Sequence, residues 1–402
     1  MYVVLFLLRY YMNDLMYMKR AIALAKLATA HTWPNPLVGA VVVKHNTIIG
    51  EGYHHKAGEP HAEVHALQAA GDEAKGATLY VTLEPCTHYG KTPPCADRII
   101  AAGISRVVIG STDPNPLVGG QGINRLQTAG IEVKTGVCEK ECALLNESFF
   151  TYIQTGKPFV TLKSAMSLDG SIATFTGESQ WITNEAARKH GHLLRASYDA
   201  MVVGIGTILA DDPLLNCRLS DSEVYDVIIG DTLDGVYSID IRQPDVMIFD
   251  SLGRTPIEAK VFTVPNRKVH LFVSSQCSEE KRQAFIDIGA YVHDIERRTN
   301  GLSINQALTV MGDMGYTSVL IEGGSALLSA FVETLAFDKI VTYIGNLIIG
   351  GTEATPAVGG NGFATLEAAA KLTFTDVHMM DNNIVIEAYR TGREGAYVYG
   401  HY

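Results

Sequence analysis

The segment His61-Ala62-Glu63, followed by Pro85-Cys86 and Pro94-Cys95, decides the fold and chemistry of the first part of this chain. One imidazole and two thiolates are soft ligands that suit Zn²⁺. Three protein ligands leave a fourth position open for water, which distinguishes catalytic zinc sites from closed structural ones. We therefore predict that His61, Cys86 and Cys95 hold a single catalytic zinc ion.

Glu63 lies two residues after the histidine ligand, close enough to carry protons without binding the metal. Zinc acidifies a bound water to a pKa of about 7. A His-x-Glu pair followed by Pro-Cys and Cys is typical of zinc deaminases that act on nucleobase-like rings. A structural zinc site or chance is the alternative. All four residues occur in order between positions 61 and 95, and a proline precedes each cysteine, so we favour a catalytic site with Glu63 as general acid and base.

The length and charge of the chain limit what it can be. Its 402 residues exceed one ordinary hydrophobic core and predict two domains. The composition, 47% hydrophobic and 19% charged, is that of a globular protein. A net charge of −11 argues against a nucleic-acid surface, which needs a basic face. A local basic pocket for a small phosphate remains compatible with it.

Six cysteines are sparse for this length and predict a reducing compartment, the cytoplasm. Cys138 and Cys142 are one helical turn apart and make a second metal site conceivable. No histidine or third cysteine stands near them in the sequence, so we favour plain packing.

The first residues, 1–12, are apolar and are predicted to be an N-terminal extension that is lightly packed or poorly ordered. Their apolar run is far shorter than the ~20 residues needed to span a bilayer. No basic segment precedes it and no small-residue cleavage site follows, so we expect neither a targeting signal nor a membrane anchor.

Strands alternating with helices predict an α/β fold in both halves. The break at Gly156-Lys157-Pro158 divides the chain into residues 13–156 and 157–402. In the first half we expect strands at 38–43, 78–82, 107–110 and 131–133 and helices at 14–30, 61–70, 95–102 and 122–129. In the second half we expect a helix at 185–196 and strands at 159–162, 200–203, 245–249, 269–273, 318–321 and 339–344. The acidic, patternless segment 220–240 is predicted to be a surface insertion.

Eight residues separate the two cysteine ligands, where deaminases of nucleosides and nucleic acids usually have two. The longer loop brings His88 and Lys91 beside the metal, and both can bind an anionic group. The alternative is an ordinary long surface loop. Its place between two ligands favours contact with the substrate.

Each half of the chain carries a set of short motifs. Those of the first half are Asn35-Pro36-Leu37-Val38-Gly39, Gly50-Glu51-Gly52-Tyr53-His54, Ala57-Gly58-Glu59-Pro60-His61-Ala62-Glu63, Glu84-Pro85-Cys86-Thr87-His88, Lys91-Thr92-Pro93-Pro94-Cys95 and Asp113-Pro114-Asn115-Pro116. Those of the second half are Ser167-Leu168-Asp169-Gly170, Gly177-Glu178-Ser179-Gln180-Trp181-Ile182-Thr183, Ala210-Asp211-Asp212-Pro213-Leu214-Leu215 and Glu322-Gly323-Gly324. Together these motifs resemble the family of bifunctional riboflavin-biosynthesis deaminase/reductases, over about residues 13 to 390.

This resemblance implies a cytidine-deaminase-like three-layer sandwich followed by a dihydrofolate-reductase-like α/β domain. It also implies two consecutive reactions on one phosphoribosyl-aminopyrimidine. Zinc-dependent hydrolysis first replaces a ring amine by a carbonyl, and NADPH then reduces the ribosyl chain to ribityl. The preference for NADPH over NADH, and a dimeric or higher homo-oligomer, likewise rest on the resemblance.

In the deaminase half, the resemblance implies that Asn35, His54, Asp113 and Asn115 hydrogen-bond the base and the ribose, and that His88 and Lys91 bind the phosphate. For Asn35 and Asn115 the alternative is turn chemistry, because each precedes a proline. The two roles are compatible.

In the reductase half, Gly204-Ile205-Gly206-Thr207 is a weak dinucleotide motif, because it lacks the third glycine. Gly323-Gly324-Ser325 is better placed to offer backbone amides to a pyrophosphate. The resemblance places NADPH at Ala165, Trp181, Thr207, Asp211, Ser251, Gly324 and Ser325, and substrate at Ser179, Arg195, Leu215, Arg218 and Glu322.

Arg195 and Arg218 would form the cationic fork that a phosphate needs, although either one alone is more often a solvated surface residue. Asp211 is the first candidate for proton handling during hydride transfer, and Lys163 is the second. Trp181 is either a cofactor contact or a plain core aromatic, and its Gln-Trp-Ile-Thr context favours the cofactor.

Two other functions deserve comparison. One is a monofunctional zinc deaminase for a nucleoside or a tRNA with a C-terminal binding domain, which the long inter-cysteine loop and the acidic charge oppose. The other is a nucleotide-sensing regulator with a retired site, which the intact His61, Glu63, Cys86 and Cys95 oppose. We expect a small-molecule substrate and no nucleic-acid or membrane partner.

Overall fold

The structure is a computed structural model, and it describes residues 2–87, 93–115, 119–233, 237–299 and 301–393. Side chains are described from Met12 onward, apart from that of Asp231. The chain forms two compact units, one of Met1–Thr155 with Ser220–Ile241 and one of Gly156–Leu219 with Arg242–Glu394. No helix in these ranges is both long enough and apolar enough to cross a bilayer.

The first unit is built on a sheet of five described strands in the order β2-β1-β3-β4-β5, where β1 is antiparallel to its neighbours and β3, β4 and β5 are parallel. The strands are β1 (Gly39–Lys44), β2 (Thr47–Tyr53), β3 (Thr78–Leu83), β4 (Arg106–Ser111) and β5 (Glu132–Lys134). The helices are α1 (Tyr2–Lys26), α2 (Ala62–Ala70), α3 (Cys95–Ala101), α4 (Gln121–Thr128), α5 (Glu139–Leu145) and α6 (Glu147–Thr155).

Helices cover both faces of this sheet at close range. A Cβ on Gly50 of β2 would lie 2.2 Å from the carbonyl oxygen of Ala66 in α2. A Cβ on Gly39 of β1 would lie 1.9 Å from the carbonyl oxygen of Ala21 in α1. Only glycine permits either approach. The arrangement is a three-layer α/β sandwich, as expected, and it fixes the first turn of α2, which carries Glu63.

The second unit contains a sheet of nine described strands in the order β11-β10-β9-β8-β14-β6-β15-β18-β17, parallel from β11 to β15 and antiparallel beyond. The strands are β6 (Phe159–Met166), β8 (Ala200–Gly204), β9 (Asp245–Phe249), β10 (Val269–Val273), β11 (Tyr291–Asp294), β14 (Ser318–Ile321), β15 (Lys339–Ile344), β17 (Leu372–Met380) and β18 (Asn383–Arg390).

Short pairs join β7 (Ser171–Ala173) to β16 (Thr355–Pro356) and β12 (Arg297–Arg298) to β13 (Gly301–Leu302). The helices of this unit are α7 (Glu185–Ser197), α8 (Ile205–Asp211), α10 (Glu279–Asp287), α11 (Ile304–Asp313) and α12 (Ser325–Glu333). Single 3₁₀ turns occur at Gly71–Ala74, Gly230–Thr232 and Lys260–Thr263. The predicted α/β class is therefore confirmed for both halves.

The segment 220–240 was predicted to lack a secondary-structure pattern, and this was wrong. It contains helix α9 (Asp221–Ile228). Ser220 caps this helix in a capping box with Glu223, a signal present in the sequence as Ser-x-x-Glu. The Tyr237 hydroxyl donates to Glu51 Oε2 at 3.0 Å, and the segment groups with the first unit. The helix was missed because the segment was judged by its acidic composition and the Ser-x-x-Glu capping signal was not considered.

The first helix spans Tyr2–Lys26, so it begins and ends earlier than the predicted range of 14–30. Asp14 is 1% exposed and accepts hydrogen bonds from both terminal nitrogens of Arg106 at 2.9 Å, from Lys134 at 2.8 Å and from the Tyr80 hydroxyl at 2.9 Å. A tertiary ion pair, rather than a helix cap, explains this carboxylate. The side chains of residues 1–11 lie outside the described ones. The predicted light packing or poor order of residues 1–12 therefore stays a prediction.

We predict that Asp14→Asn destabilises the first unit by about 3–5 kcal/mol, because it removes the buried counter-charge of Arg106 and leaves only the exposed Glu132, 3.0 Å from Arg106 Nε. Urea unfolding followed by circular dichroism measures this loss. Arg125→Gln is the control: it removes a half-exposed pair with Asp97 and should cost less than about 1 kcal/mol.

The same carboxylate gives the destabilisation a pH dependence. Burial alone would raise the pKa of Asp14, but its hydrogen bonds from Arg106, Lys134 and Tyr80 outweigh burial and lower it. The difference between wild type and Asp14→Asn should be full above the unfolded pKa of about 3.9 and shrink as pH falls through the lower folded-state value. Equal stability of the two proteins at neutral pH would refute the pairing.

Candidate active sites

Three soft ligands converge at one end of the first sheet. His61 is the N-cap residue of α2, Cys86 follows β3, and Cys95 is the first residue of α3. The Nδ1 atom of His61 lies 3.7 Å from the sulfur of Cys86 and 3.3 Å from that of Cys95. Among the described residues, no other three histidine, cysteine or acidic side chains cluster so as to hold a metal.

These distances and this chemistry fit zinc. For tetrahedral coordination with Zn–N of about 2.1 Å and Zn–S of about 2.3 Å, the N···S edge is about 3.6 Å. The ligand atoms of His61, Cys86 and Cys95 all lie within 4.8 Å of one another. The predicted zinc site is therefore present as a preformed cluster of one nitrogen and two sulfur donors.

The two thiols are electrostatically prepared for a cation. Hydrogen bonds from the Cys95 thiol and the His61 ring lower the pKa of Cys86 to about 4. The Cys95 backbone N–H also points at the Cys86 sulfur, at 3.4 Å. The Cys86 thiolate in turn raises the pKa of Cys95. Two sulfurs that share one proton beside an imidazole make a site where a divalent cation replaces that proton.

Cys138 and Cys142 do not join a metal-binding cluster. Both are buried, Cys142 completely, and burial raises the pKa of each. A Cβ on Gly110 of β4 would lie 2.3 Å from the Cys142 sulfur. Cys142 therefore packs against the sheet as a small apolar side chain.

Glu63 is 3% exposed, and its Oε2 is a buried atom without a hydrogen-bond partner in the described chain. Burial raises the pKa of Glu63, so the carboxyl holds a proton more readily than an exposed one. A buried carboxylate with an orphan oxygen beside a metal cluster is equipped to take a proton from one ligand and pass it to another.

A cavity of about 270 Å³ opens beside this cluster. The predicted residues Asn35, His54, Asp113 and Asn115 all line it with Glu63. His88 and Lys91, the predicted phosphate ligands, lie outside the described residues. The other residues of its wall are Pro36, Val38, His61, Leu83, Glu84, Cys86, Phe149 and Ile153.

Asn35 and His54 form one hydrogen-bonded unit in this wall. His54 Nδ1 lies 3.2 Å from the carbonyl oxygen of Pro60, which can only accept, so Nδ1 carries the proton. His54 Nε2 therefore accepts from the Asn35 amide nitrogen at 3.1 Å. Burial lowers the pKa of His54, in agreement with a neutral ring. This bond orients the Asn35 amide and leaves its oxygen to accept from a ligand.

Glu84 organises the loop that carries Asp113 and Asn115, and the sequence analysis gave it no role. Its carboxylate accepts from the backbone N–H groups of Gly120 at 2.9 Å, Gly122 at 2.8 Å, Ile123 at 3.2 Å and Asp113 at 3.3 Å. The Asp113 side chain accepts from the Asn115 N–H at 2.8 Å. Turn chemistry and a place in the cavity wall thus coexist here.

Phe149 and Ile153 of α6 complete the wall and were also missed. Their only sequence signal is helical spacing, and nothing in it shows that α6 reaches a site formed by residues far earlier in the chain. The sequence signal for Glu84 was its place in the Glu84-Pro85-Cys86 motif.

A second cavity, of about 250 Å³, lies in the other unit at the carboxyl ends of strands β6 and β15. Such strand ends are where α/β sheets bind ligands. The predicted residues that line it are Lys163, Ala165, Ser179, Trp181, Arg195, Asp211 and Arg218. The other wall residues include Arg188, His192 and Tyr343, which the sequence analysis missed.

Arg195 does not offer its guanidinium fork to this cavity, because Glu322 occupies it. Its Nε and Nη2 atoms donate to the two carboxylate oxygens at 2.8 and 2.7 Å. Burial alone would raise the pKa of Glu322, but Arg195 and Lys163 outweigh it and lower it to about 2. The expected pair of phosphate-binding arginines is thus reduced in this structure to the exposed Arg218.

The predicted cofactor residues are only partly brought together. Thr207 and Gly324 adjoin, since a Cβ on Gly324 would lie 3.9 Å from the Thr207 hydroxyl oxygen. Ser325 begins α12 directly after Gly324. Ser251 follows β9, and its carbonyl accepts from the Ser274 hydroxyl at 2.7 Å.

Leu215, predicted to meet the substrate, has its side chain in the core at 3% exposure. Its φ is +51°, and its carbonyl accepts from Arg267 at 2.8 Å. Leu215 is thus a core residue in this structure and is not among the residues that line the second cavity.

Trp181 is not a core aromatic, because 65% of it is exposed. The Arg188 guanidinium lies 4.5 Å from the centre of its ring, a cation–π contact. An exposed indole held by an arginine at a cavity mouth is suited to stacking on a flat ligand.

Comparison with known proteins finds relatives for both halves of the chain. The sequence model of the cytidine and deoxycytidylate deaminase zinc-binding region matches residues 12–111, and that of the RibD C-terminal domain matches residues 158–386. The riboflavin biosynthesis protein RibD of Bacillus amyloliquefaciens is 42% identical over 384 residues, which cover 95% of this chain and 98% of that protein. RibD of Escherichia coli (strain K12) is 40% identical over 362 residues, 90% of this chain and 93% of that protein.

Solved structures agree with these relatives. RibD of Acinetobacter baumannii superposes with a TM-score of 0.81 at 38% identity and covers 95% of this chain and 99% of that one. The diaminohydroxyphosphoribosylaminopyrimidine deaminase/5-amino-6-(5-phosphoribosylamino)uracil reductase of Thermotoga maritima gives a TM-score of 0.79 at 35% identity, with 95% and 99% covered.

Proposed function

This chain belongs to the RibD family of riboflavin-biosynthesis deaminase/reductases, and on that premise we propose how its residues divide the two reactions. Its first unit is the cytidine-deaminase-like zinc domain and its second is the NADPH-dependent, dihydrofolate-reductase-like domain. The observation that carries the deaminase function is the convergence of His61, Cys86 and Cys95 beside the buried carboxylate of Glu63. The relatives match both halves of the chain over nearly its full length. This argues against the two alternatives, a monofunctional deaminase and a regulator with an inactive site.

The first substrate is 2,5-diamino-6-(5-phosphoribosylamino)pyrimidin-4(3H)-one, whose ring amine is exchanged for a carbonyl as water enters and ammonia leaves. A zinc ion held by His61, Cys86 and Cys95 would supply a water of lowered pKa, about 7. Glu63 takes a proton from the attacking water, passes it to the ring nitrogen and delivers the next one to the departing amine. Its buried, raised-pKa carboxyl suits both directions of transfer.

The deaminase cavity supplies recognition. The Asn35 oxygen, fixed by the bond to His54, accepts from a ring amino group, and Asp113 and Asn115 contact the base and ribose. His88 and Lys91 remain our proposal for the phosphate, on the strength of their place between the two cysteine ligands.

In the reductase cavity, bound NADPH would supply the hydride to C1 of the ribosyl chain and yield 5-amino-6-(5-phosphoribitylamino)uracil. Lys163 is better placed than Asp211 to donate the accompanying proton. Its ammonium lies 3.9 Å from Glu322 and 5.6 Å from the Tyr343 ring centre within the cavity wall, whereas Asp211 is exposed at the end of α8. Arg218 receives the substrate phosphate, because the Arg195 fork is engaged by Glu322.

The test of this division is a coupled assay on wild type and Glu63→Gln, in which ammonia release and NADPH oxidation are measured separately. Glu63→Gln should retain zinc but lose ammonia release by at least about 100-fold, because general acid–base catalysis contributes that much. It should oxidise NADPH at the wild-type rate when given the deaminated intermediate. Lys163→Met is the matched variant. It should release ammonia at the wild-type rate but lose NADPH oxidation with the deaminated intermediate.

Two results would contradict the division. Near-normal ammonia release by Glu63→Gln would remove this carboxylate from the mechanism. Oxidation of NADPH by wild type without prior ammonia release would separate the second unit from the proposed reaction order.

We also propose that the protein is a homo-oligomer that packs through β17, the edge strand of the second sheet. Phe374, Val377 and Met379 are 65%, 59% and 61% exposed and pair with Ala388, Ile386 and Ile384 of β18. A bulge between residues 374 and 376 keeps the three on one face. An exposed apolar edge strand is a pairing surface that proteins otherwise protect.

Val377→Lys should convert this oligomer into a monomer, because it places a charge at the centre of the apolar face. Light scattering coupled to size-exclusion chromatography measures the mass. Glu367→Lys, an exposed change outside β17, is the charge control and should leave the mass unaltered. A monomeric wild type, or an unchanged mass for Val377→Lys, would refute the proposal.

We propose a cytoplasmic location as well. The four cysteines outside the proposed zinc site, Cys138, Cys142, Cys217 and Cys277, are buried and are not joined in disulfides, which supports a reducing compartment.

A further inference from the structure

One face of helix α7 forms a wall of the reductase cavity. Arg188, Gly191, His192 and Arg195 follow the i, i+3, i+4, i+7 spacing of a single helical face, and all four line the cavity. Arg188 holds Trp181 and Arg195 holds Glu322. Within the part of the chain that the structure describes, His192 has no such partner side chain, and neither the motifs nor the proposed mechanism gives it a role.

The hydrogen bonds of His192 fix its tautomer. Its Nδ1 lies 3.2 Å from the backbone carbonyl oxygen of Asn216, which can only accept. Nδ1 therefore carries the proton, and Nε2 is an acceptor. Burial, together with the charges of Arg195 and Arg218, lowers the pKa of His192 to about 4, so the ring is neutral at physiological pH.

The Nε2 atom is available to a ligand. It makes no hydrogen bond to the described protein, and it is not among the polar atoms sealed from solvent. The Asn216 carbonyl that holds the ring also accepts from Arg195 at 3.2 Å, and the Asn216 side-chain oxygen lies 3.5 Å from Arg218. The imidazole is thus anchored at one nitrogen and open at the other.

The chemistry of the surrounding wall makes this acceptor selective. Lys163, Arg188 and Arg218 offer only donors, and they suit the anionic and carbonyl groups of a phosphorylated uracil. The carboxylate of Glu322 is already engaged by Arg195, and that of Asp211, which also lines the cavity, is exposed to solvent. A neutral ring nitrogen in this setting recognises an N–H or O–H group.

We propose that His192 Nε2 accepts a hydrogen bond from an N–H or O–H of the reductase substrate and so holds the ribosyl chain beside Lys163. The Lys163 side chain runs along the same helical face, since a Cβ on the neighbouring Gly191 would lie 3.9 Å from its Cε. The proposal rests on the reductase function given above and adds a substrate-positioning residue to it.

Two amide substitutions separate this role from a structural one. An asparagine amide occupies about the place of imidazole Nδ1, and a glutamine amide about that of Nε2. His192→Asn therefore keeps the contact with Asn216 and loses the acceptor, while His192→Gln keeps the acceptor and loses the contact. Steady-state NADPH oxidation with the deaminated intermediate, and binding of the ribityl product by calorimetry, are the two measurements.

His192→Asn should raise KM and the product Kd by about 5- to 10-fold, the value of one neutral hydrogen bond, while His192→Gln stays within about 3-fold of wild type. Ammonia release by the first unit should be the same in all three proteins. The opposite order, or equal values for wild type and His192→Asn, would overturn the proposal. A wild type that fails to oxidise NADPH with the intermediate would refute the reductase function itself.

The two possible donors are distinguished by inhibitors. 5,6-Diaminouracil lacks the sugar chain. If His192→Asn weakens the binding of this compound and of the ribityl product equally, the donor is an N–H of the uracil. If only the ribityl product weakens, the donor is a hydroxyl of the chain. If neither weakens, His192 does not contact the substrate.

Discussion

The close packing of α2 on the first sheet is the constraint on which the deaminase site depends. Glycines in β2 let the backbone of α2 approach to a distance that any side chain would forbid. That contact places His61 at the helix start and buries Glu63 one residue inside it. The helix start then faces the end of β3 and the start of α3, where the two cysteines stand. The metal-binding cluster is thus assembled from three chain segments that the packing of the unit brings together.

Charge in the second unit is arranged by pairing. Its cavity gathers Lys163, Arg188, Arg195 and Arg218, which would repel one another without counter-charges. Glu322 holds Arg195 in a two-point bond and stands near Lys163, while Arg188 rests on the Trp181 ring. Arg218 is left for an anionic ligand and His192 for a donor. The site is therefore selective because most of its cations are already committed to the protein.

Local signals in the sequence predicted much of this arrangement. The cluster of His61, Cys86 and Cys95 beside Glu63 was predicted from residue type and spacing, because a catalytic zinc site requires those residue types in that order. The α/β class followed from alternating periodicities. The predicted start of the first helix at residue 14 was wrong, and the acidic side chain at that position instead pairs with Arg106, which is 92 positions away in the sequence. The sequence also did not predict the positions of Glu84, Phe149 and His192 in their sites. Each position results from contacts between elements that are far apart in the sequence.

The deaminase site depends on a zinc ion that would be held by one nitrogen and two sulfur atoms, with a fourth position open. X-ray absorption spectroscopy at the zinc edge of the purified, zinc-replete protein measures that coordination directly. We predict one ion per chain with two sulfur ligands at about 2.3 Å and the remaining ligands nitrogen or oxygen at about 2.0–2.1 Å. A shell of four sulfurs, or one without sulfur, would contradict the account.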